Sequence, residues 1–242
     1  MLKIEHLYKK YLNSDRYSAQ DINFEVHEGD LFGFLGQNGA GKSTTIKCMV
    51  GIYPFDSGDI TICGHSIKTD AVKAKMNIGY VPDNHSVYEK LTGREYVNYI
   101  ADLYGVDEAT RNAVMDRFLK IFRLEKAVDR QIKGYSHGMK QKICIIAALI
   151  HEPKLWVLDE PMVGLDPHTS NQVKNFFREH SSRGNLVIFS SHNLDVVGKM
   201  CDRVYIIDQG QILQELDMAV FKSIGGDLES YFLSITQRVS KV

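Results

Sequence analysis

The chain has 242 residues, 44% of them hydrophobic and 24% charged, with a formal net charge of −1. That length suits one large α/β domain with a smaller subdomain, and the near-zero charge argues against nucleic acid as a partner. Four scattered cysteines (Cys48, Cys63, Cys144 and Cys201) with no C-x-x-C pair fit reduced, mostly buried thiols better than a disulfide or zinc framework.

Residues 1–6 lack the apolar core of a signal peptide. The longest apolar run, residues 143–150, is far short of the roughly 20 residues that span a bilayer. The chain is therefore expected to be soluble and to reach any membrane through a partner. In chain order, residues 2–5 and 22–26 alternate apolar and polar and read as half-buried antiparallel strands. Residues 31–35 form an apolar run that ends in a glycine-rich stretch, which predicts a buried parallel strand. Residues 78–81, 155–158, 186–189 and 204–207 read as its neighbours, with helical patterns between several of them. A mostly parallel sheet with crossover helices follows. Residues from about 85 to 150 carry helical period and few strand signals, so they are expected as a helical subdomain inserted into residues 1–230. Residues 231–242 are expected as a tail, with fraying from Ser230 onward.

Gly36-Gln37-Asn38-Gly39-Ala40-Gly41-Lys42-Ser43 matches G-x-x-x-x-G-K-[ST] and is followed by Thr44. The predicted strand precedes it and a predicted helix over residues 44–50 follows. Glycines let the backbone curl around phosphates with its N–H groups inward, and the helix N-terminus adds partial positive charge. Lys42 then places a cation at the β- and γ-phosphates, and Ser43 offers a hydroxyl to magnesium. Residues 155–158 end in Asp159-Glu160. Asp159 suits magnesium, a hard cation that takes oxygen ligands. Glu160 suits the base that polarises an attacking water. Each motif alone has a plainer reading, a glycine turn or a pair of helix-capping acids; the pairing weighs against both.

With these motifs in order, the chain resembles the ATP-binding cassette (ABC) family along nearly its whole length. Tyr80-Val81-Pro82-Asp83 lies where that family has its Q-loop. Tyr135-Ser136-His137-Gly138-Met139-Lys140-Gln141 is similar to the signature motif. Gly164-Leu165-Asp166 matches the D-loop, and Ser190-Ser191-His192 carries the switch histidine. Tyr11 sits where an aromatic stacks on adenine, with Tyr8 and Tyr17 close by. Two residues depart from the pattern: Asp83 stands in place of glutamine, and His137 in place of the common glycine.

The resemblance implies a P-loop NTPase fold of the ABC type, with an antiparallel N-terminal β-subdomain, a mostly parallel core sheet and the helical insertion. It implies ATP and Mg2+ as cofactors, with Ser43, Asp83 and Asp159 toward the metal. Ser136, Gly138 and Asp166 would face nucleotide across a head-to-tail dimer with a second cassette, and His137 would stand aside. His192 would contact the γ-phosphate. An integral membrane permease is the implied partner, docked near residues 83–104, which places the chain on the inner face of the cell membrane. The sequence style looks like the branch that exports drugs, peptides, sodium or polysaccharides. The rival reading is a soluble accessory ATPase of the kind used with iron–sulfur assembly scaffolds. A GTPase is disfavoured because no N-K-x-D motif is present. A DNA-repair cassette is disfavoured because no long coiled-coil or zinc insertion separates phosphate loop and signature.

Overall fold

The computed structural model describes residues 1–12, 14–84 and 87–239, with side chains described as far as residue 237. His85, where the helical insertion was expected to begin, and residues 240–242 of the expected tail lie outside the described residues.

The first sheet is antiparallel, in the order β2-β1-β4-β5. Its strands are β1 (Leu2–Lys10), β2 (Tyr17–Val26), β4 (Ser57–Ile62) and β5 (His65–Ser66). The two residues between β4 and β5, Cys63 and Gly64, have φ of 49° and 81°. Such a pair of positive φ values suits a tight two-residue hairpin, whose twist matches that of the strands.

The second sheet runs β10-β9-β3-β8-β7-β6. It comprises β3 (Leu31–Leu35), β6 (Ile78–Val81), β7 (Leu155–Leu158), β8 (Leu186–Ser191), β9 (Arg203–Asp208) and β10 (Gln211–Asp217). All pairs are parallel except the β9–β10 hairpin. Every parallel strand expected from the sequence is present. β4, β5 and β10 were not anticipated.

The helices are α1 (Lys42–Met49), α2 (Ala71–Met76), α3 (Gly93–Leu103), α4 (Glu108–Phe122), α5 (His137–Leu149), α6 (Pro167–Ser182), α7 (Leu194–Met200), α8 (Met218–Ser223) and α9 (Leu228–Val239). Among the described residues, none is long and apolar enough to cross a membrane. α3, α4 and α5 make up the helical region anticipated between β6 and β7. α3 opens on a capping box in which Thr92 accepts from the Glu95 amide and the Glu95 side chain accepts from the Thr92 amide.

β3 shows why the second sheet is buried on both faces. Leu31 and Leu35 belong to the core shared with the helical region, whereas Phe32 and Phe34 belong to the core under the antiparallel sheet. The two-residue period of a strand sorts them. Phe24 from β2 stacks on Phe32 at 5.7 Å between centroids, and Tyr205 from β9 lies 4.6 Å from Phe32. These rings fasten the antiparallel sheet over the parallel one.

The tail needs a correction. Residues 230–239, expected to fray, belong to α9, and Leu228, Phe232 and Thr236 are buried. Their four-residue spacing places them on one helix face, and burying that face outweighs the cost of ordering the segment. All four cysteines are free; Cys48, Cys144 and Cys201 are buried and Cys63 is half-buried. Burial pushes the Cys48 thiol up to about 11 and the Cys144 thiol up to about 12.

Candidate active site

The chain leaves β3 at Leu35, curls through residues 36–41 and enters α1 at Lys42. Gly41 is the N-cap, with φ of +106° and no side-chain cap. A Cβ there would collide with the Ser18 carbonyl oxygen, so both conformation and space demand glycine. Gly41 therefore offers the first N–H groups of α1 no side-chain acceptor of its own, a helix start suited to receive an anion.

Lys42 is 5% exposed. Its ammonium donates to the Gly36 carbonyl at 2.7 Å and the Gln37 carbonyl at 3.1 Å, and lies 3.7 Å from Glu160 Oε1. Burial pulls its pKa below the usual lysine value, and the charges of Glu160 and Asp159 oppose that pull.

Asp159 and Glu160 follow β7 directly. The parallel register pairs Leu158 with Phe189, which brings Ser190 beside Asp159. Asp159 Oδ1 accepts from Ser190 Oγ at 2.6 Å and from Ser43 Oγ at 3.0 Å. Its Oδ2 is buried with no hydrogen-bond partner. Burial raises the Asp159 carboxyl above its ordinary range, and the Ser190 and Ser43 hydroxyls counteract it. An orphaned carboxylate oxygen beside a serine hydroxyl is a donor set that suits a hard divalent cation such as magnesium.

Glu160 has φ of +48°, a left-handed conformation rare outside glycine and a form of stored strain. Ser190 helps to hold it there, because the Glu160 amide donates to Ser190 Oγ at 2.9 Å. On the side chain, Glu160 Oε1 lies 3.1 Å from His192 Nδ1, just past the end of β8. Lys42, Ser43, Asp159, Glu160 and His192 are therefore drawn together by a strand register that motif spacing alone does not reveal.

The other predicted residues stand farther out. Asp83 lies 4.0 Å from Lys47 Nζ on α1. Tyr11 is exposed and its hydroxyl is 3.1 Å from Thr44 Oγ1, which ties it to the start of α1. Tyr17, Arg16, Gln209 and Gly39 line a cleft of about 500 Å³ beside the loop. Ser136 and Asp166 are exposed N-caps, of α5 and α6. Ser136 accepts from the Met139 amide at 3.3 Å. Asp166 accepts from the Thr169 hydroxyl and amide, which hold its carboxyl down to about 2. Gly138 sits in the first turn of α5.

Three contributors were not assigned a role from sequence: Ser190, Gln141 and Lys47. Gln141 is 1% exposed and donates to the Pro161 carbonyl at 2.6 Å. Ser190 was within the Ser190-Ser191-His192 motif, and its place one residue past a predicted buried strand was the available signal.

Residues 19–163 match the family model described as ABC transporter. The chain belongs to the ABC transporter family. It is 38% identical over 213 residues to the linearmycin resistance ATP-binding protein LnrL of Bacillus subtilis (strain 168), covering 88% of this chain and 68% of that protein. It is 33% identical over 201 residues to a Nod factor export ATP-binding protein I of Rhizobium etli, covering 83% of this chain and 64% of that protein. The chain thus spans about two thirds of the length of these curated relatives. A solved structure of the ATP binding subunit of an ABC transporter is 29% identical, with a TM-score of 0.91 over 98% of this chain and 99% of that one. The fold is accordingly the ABC-type P-loop cassette, and ATP hydrolysis is characteristic of the family.

Proposed function

We propose that this ABC cassette pairs head-to-tail with a second cassette and powers an export permease from the inner face of the cell membrane. One observation carries the reading. The phosphate loop, Asp159, Glu160 and His192 converge on one place, while Ser136 and Asp166 face solvent at the starts of other helices. Each chain thus holds two half-sites with different surfaces, which a second copy in the opposite orientation completes. The names of the relatives, resistance to linearmycin and export of Nod factor, favour export. Residues 1–230 act as one cassette in this reading, with α9 bracing it.

The chemistry rests on this chain's own groups. Lys42 and the loop amides balance charge on the β- and γ-phosphates of ATP as the γ-phosphoryl group departs. The Glu160 carboxylate orients the attacking water and accepts its proton. His192, already against Glu160, holds that carboxylate in place and meets the γ-phosphate. Asp159 Oδ2 and Ser43 Oγ would hold magnesium, with Asp83 in reserve from the Q-loop; the ion, when bound, withdraws charge from the phosphoryl oxygens. Tyr11, tied to Thr44, offers its ring to adenine, and Tyr17 on the neighbouring cleft is the other aromatic surface available.

A permease needs a contact surface. Tyr88, Tyr99 and Leu103, in the segment that follows the Q-loop, are exposed at 59%, 41% and 61%, while Val87, Tyr96 and Ile100 pack inward. The rival, an accessory ATPase serving a soluble scaffold, differs in what co-purifies from cells: an integral membrane protein for the proposed reading, a soluble scaffold for the other.

The dimer is tested with Glu160→Gln, which keeps size and removes the base. ATP is expected to bind, turnover to fall by about 10²- to 10⁴-fold, and sedimentation to register a dimer in ATP. A variant that stays monomeric in saturating ATP overturns the head-to-tail arrangement; near-normal turnover removes Glu160 from the base role.

A further inference from the structure

The segment from Pro161 to Gly164 is gripped at two points by one face of α5. His137 and Gln141 are four residues apart, so they lie one above the other on that helix. At the C-terminal point, the buried Gln141 amide donates to the Pro161 carbonyl at 2.6 Å. At the N-terminal point, the His137 ring packs against Gly164. A Cβ built on Gly164 would lie 2.7 Å from His137 Nε2 and closer still to Cδ2. Gly164 has φ of +75°, so the loop turns directly beneath the ring. Gly138 adds to the seam, since a Cβ there would approach the Gly164 carbonyl oxygen at 3.6 Å.

The gripped segment matters because of its neighbours in the chain. Glu160, in its strained conformation, immediately precedes it, and Asp166, the cap of α6, follows it by two residues. Its internal hydrogen bonds are long: the Val163 amide to the Glu160 carbonyl is 3.2 Å, and the Leu165 amide to the Met162 carbonyl is 3.4 Å. Such a loop has little stiffness of its own and takes its position from what it rests on.

We propose that His137 and Gln141 are positioning residues. They make the first turns of α5 and residues 161–164 move as one body, so that whatever engages Ser136 and Gly138 also sets the backbone that leads back to Glu160. His137 is thus not a bystander at the position where glycine is common. Within the dimer reading on which this functional step rests, the ATP held against one copy's α5 reports to that same copy's own Glu160, which serves the other ATP. The grip itself is a property of the single chain and is tested without that reading.

The first test is a size swap. Gly164→Ala is made in the parent and in His137→Gly. The cost of a non-glycine residue at φ of +75° is common to both backgrounds and cancels in the double-mutant cycle; what remains is the ring contact. In nucleotide-free chain, urea unfolding should find Gly164→Ala more harmful in the parent than in the His137→Gly background, by a factor of about 5 or more in the unfolding equilibrium. Hydrogen exchange over residues 162–165 should rise about tenfold in His137→Gly and in Gln141→Leu. Equal effects of Gly164→Ala in both backgrounds, with unchanged exchange, overturn the grip even if the chain dimerises and hydrolyses ATP normally.

The second test is kinetic. His137→Gly and Gln141→Leu are expected to lower kcat about 5- to 50-fold while leaving KM for ATP within about twofold, because the phosphate loop is untouched. A rise in KM with kcat unchanged overturns the positioning role. If the exchange and size-swap results hold while the parent never dimerises with ATP, the grip stands and the head-to-tail reading falls.

Discussion

The Ser190 hydroxyl donates to Asp159 Oδ1 at 2.6 Å. The same hydroxyl oxygen accepts the Glu160 amide at 2.9 Å, so one side chain on β8 fixes both acids that follow β7. Ser190→Ala leaves a buried carboxylate oxygen with one donor fewer and a strained amide unpaired. Losing a hydrogen bond to a charged group costs about 1.5–3 kcal/mol, so kcat should fall roughly 10- to 100-fold if Glu160 shifts. Steady-state ATPase measurement decides it. An unchanged kcat would mean that Glu160 keeps its geometry without Ser190.

Action across a dimer has a direct test. A Ser136→Arg subunit loses the exposed cap of α5, and a Lys42→Ala subunit loses the cation of its phosphate loop. Neither alone should hydrolyse ATP. A mixed dimer has one site with both lesions and one with neither, so mixing should recover part of the parent rate. Mixed dimers that demonstrably form and remain inactive count against the arrangement.

Lys47 and Asp83 lie 4.0 Å apart and both are partly exposed. Such a pair is worth at most about 1 kcal/mol. Its effect should be local: Lys47 masks a carboxylate that would otherwise repel a triphosphate. Lys47→Met should weaken ATP binding in EDTA about two- to fivefold, and adding Asp83→Asn should restore it. With metal present, Asp83→Asn alone should need more magnesium for its half-maximal ATPase rate if the carboxylate reaches the ion. Calorimetric titration and a magnesium series separate the two effects. No loss in Lys47→Met would remove the masking role.

Two half-buried histidines give the fold an acid weakness. His151 stacks on Tyr104 at 3.6 Å between centroids, its Nε2 is 3.1 Å from the Ile78 carbonyl, and its Nδ1 is buried without a partner. Burial pushes its pKa down to about 4, and His180 is pushed to about 4 by the same cause. The unfolded chain takes up protons near 6.5, whereas the folded chain resists until about 4. Stability from these groups is therefore complete above pH 6.5 and is lost as pH falls toward 4. Urea unfolding at a series of pH values should yield a slope that drops by about one proton in His151→Phe. An unaltered slope would mean that His151 does not remain neutral in the fold.

Much of this was legible because buried parallel strands write themselves as apolar runs. Residues 31–35, 78–81, 155–158, 186–189 and 204–207 needed no partner to be recognised. β4 and β10 were missed: Ser-Gly-Asp-Ile-Thr-Ile and Gln-Ile-Leu-Gln-Glu-Leu-Asp mix polar and apolar residues in short strands whose pairing decides their state. The chemical groups of the site are local motifs, so Lys42, Ser43, Asp159, Glu160 and His192 could be named in advance. Their supports could not. Ser190 reaches Asp159 across 31 positions and Gln141 reaches Pro161 across 20, and only the folded register makes those neighbours. By sequence His137 stands aside, because nothing near it announces Gly164.

The hairpin turn at Cys63 has a practical side. Three of the four thiols are sealed in the interior, with Cys48 and Cys144 held protonated at neutral pH, while Cys63 sits half-open at a tight bend of the antiparallel sheet. A maleimide dye should therefore mark each chain once, with no cysteine engineered in or out. In the proposed dimer, two such dyes would form a built-in ruler, and energy transfer between them would follow any opening and closing in real time during turnover.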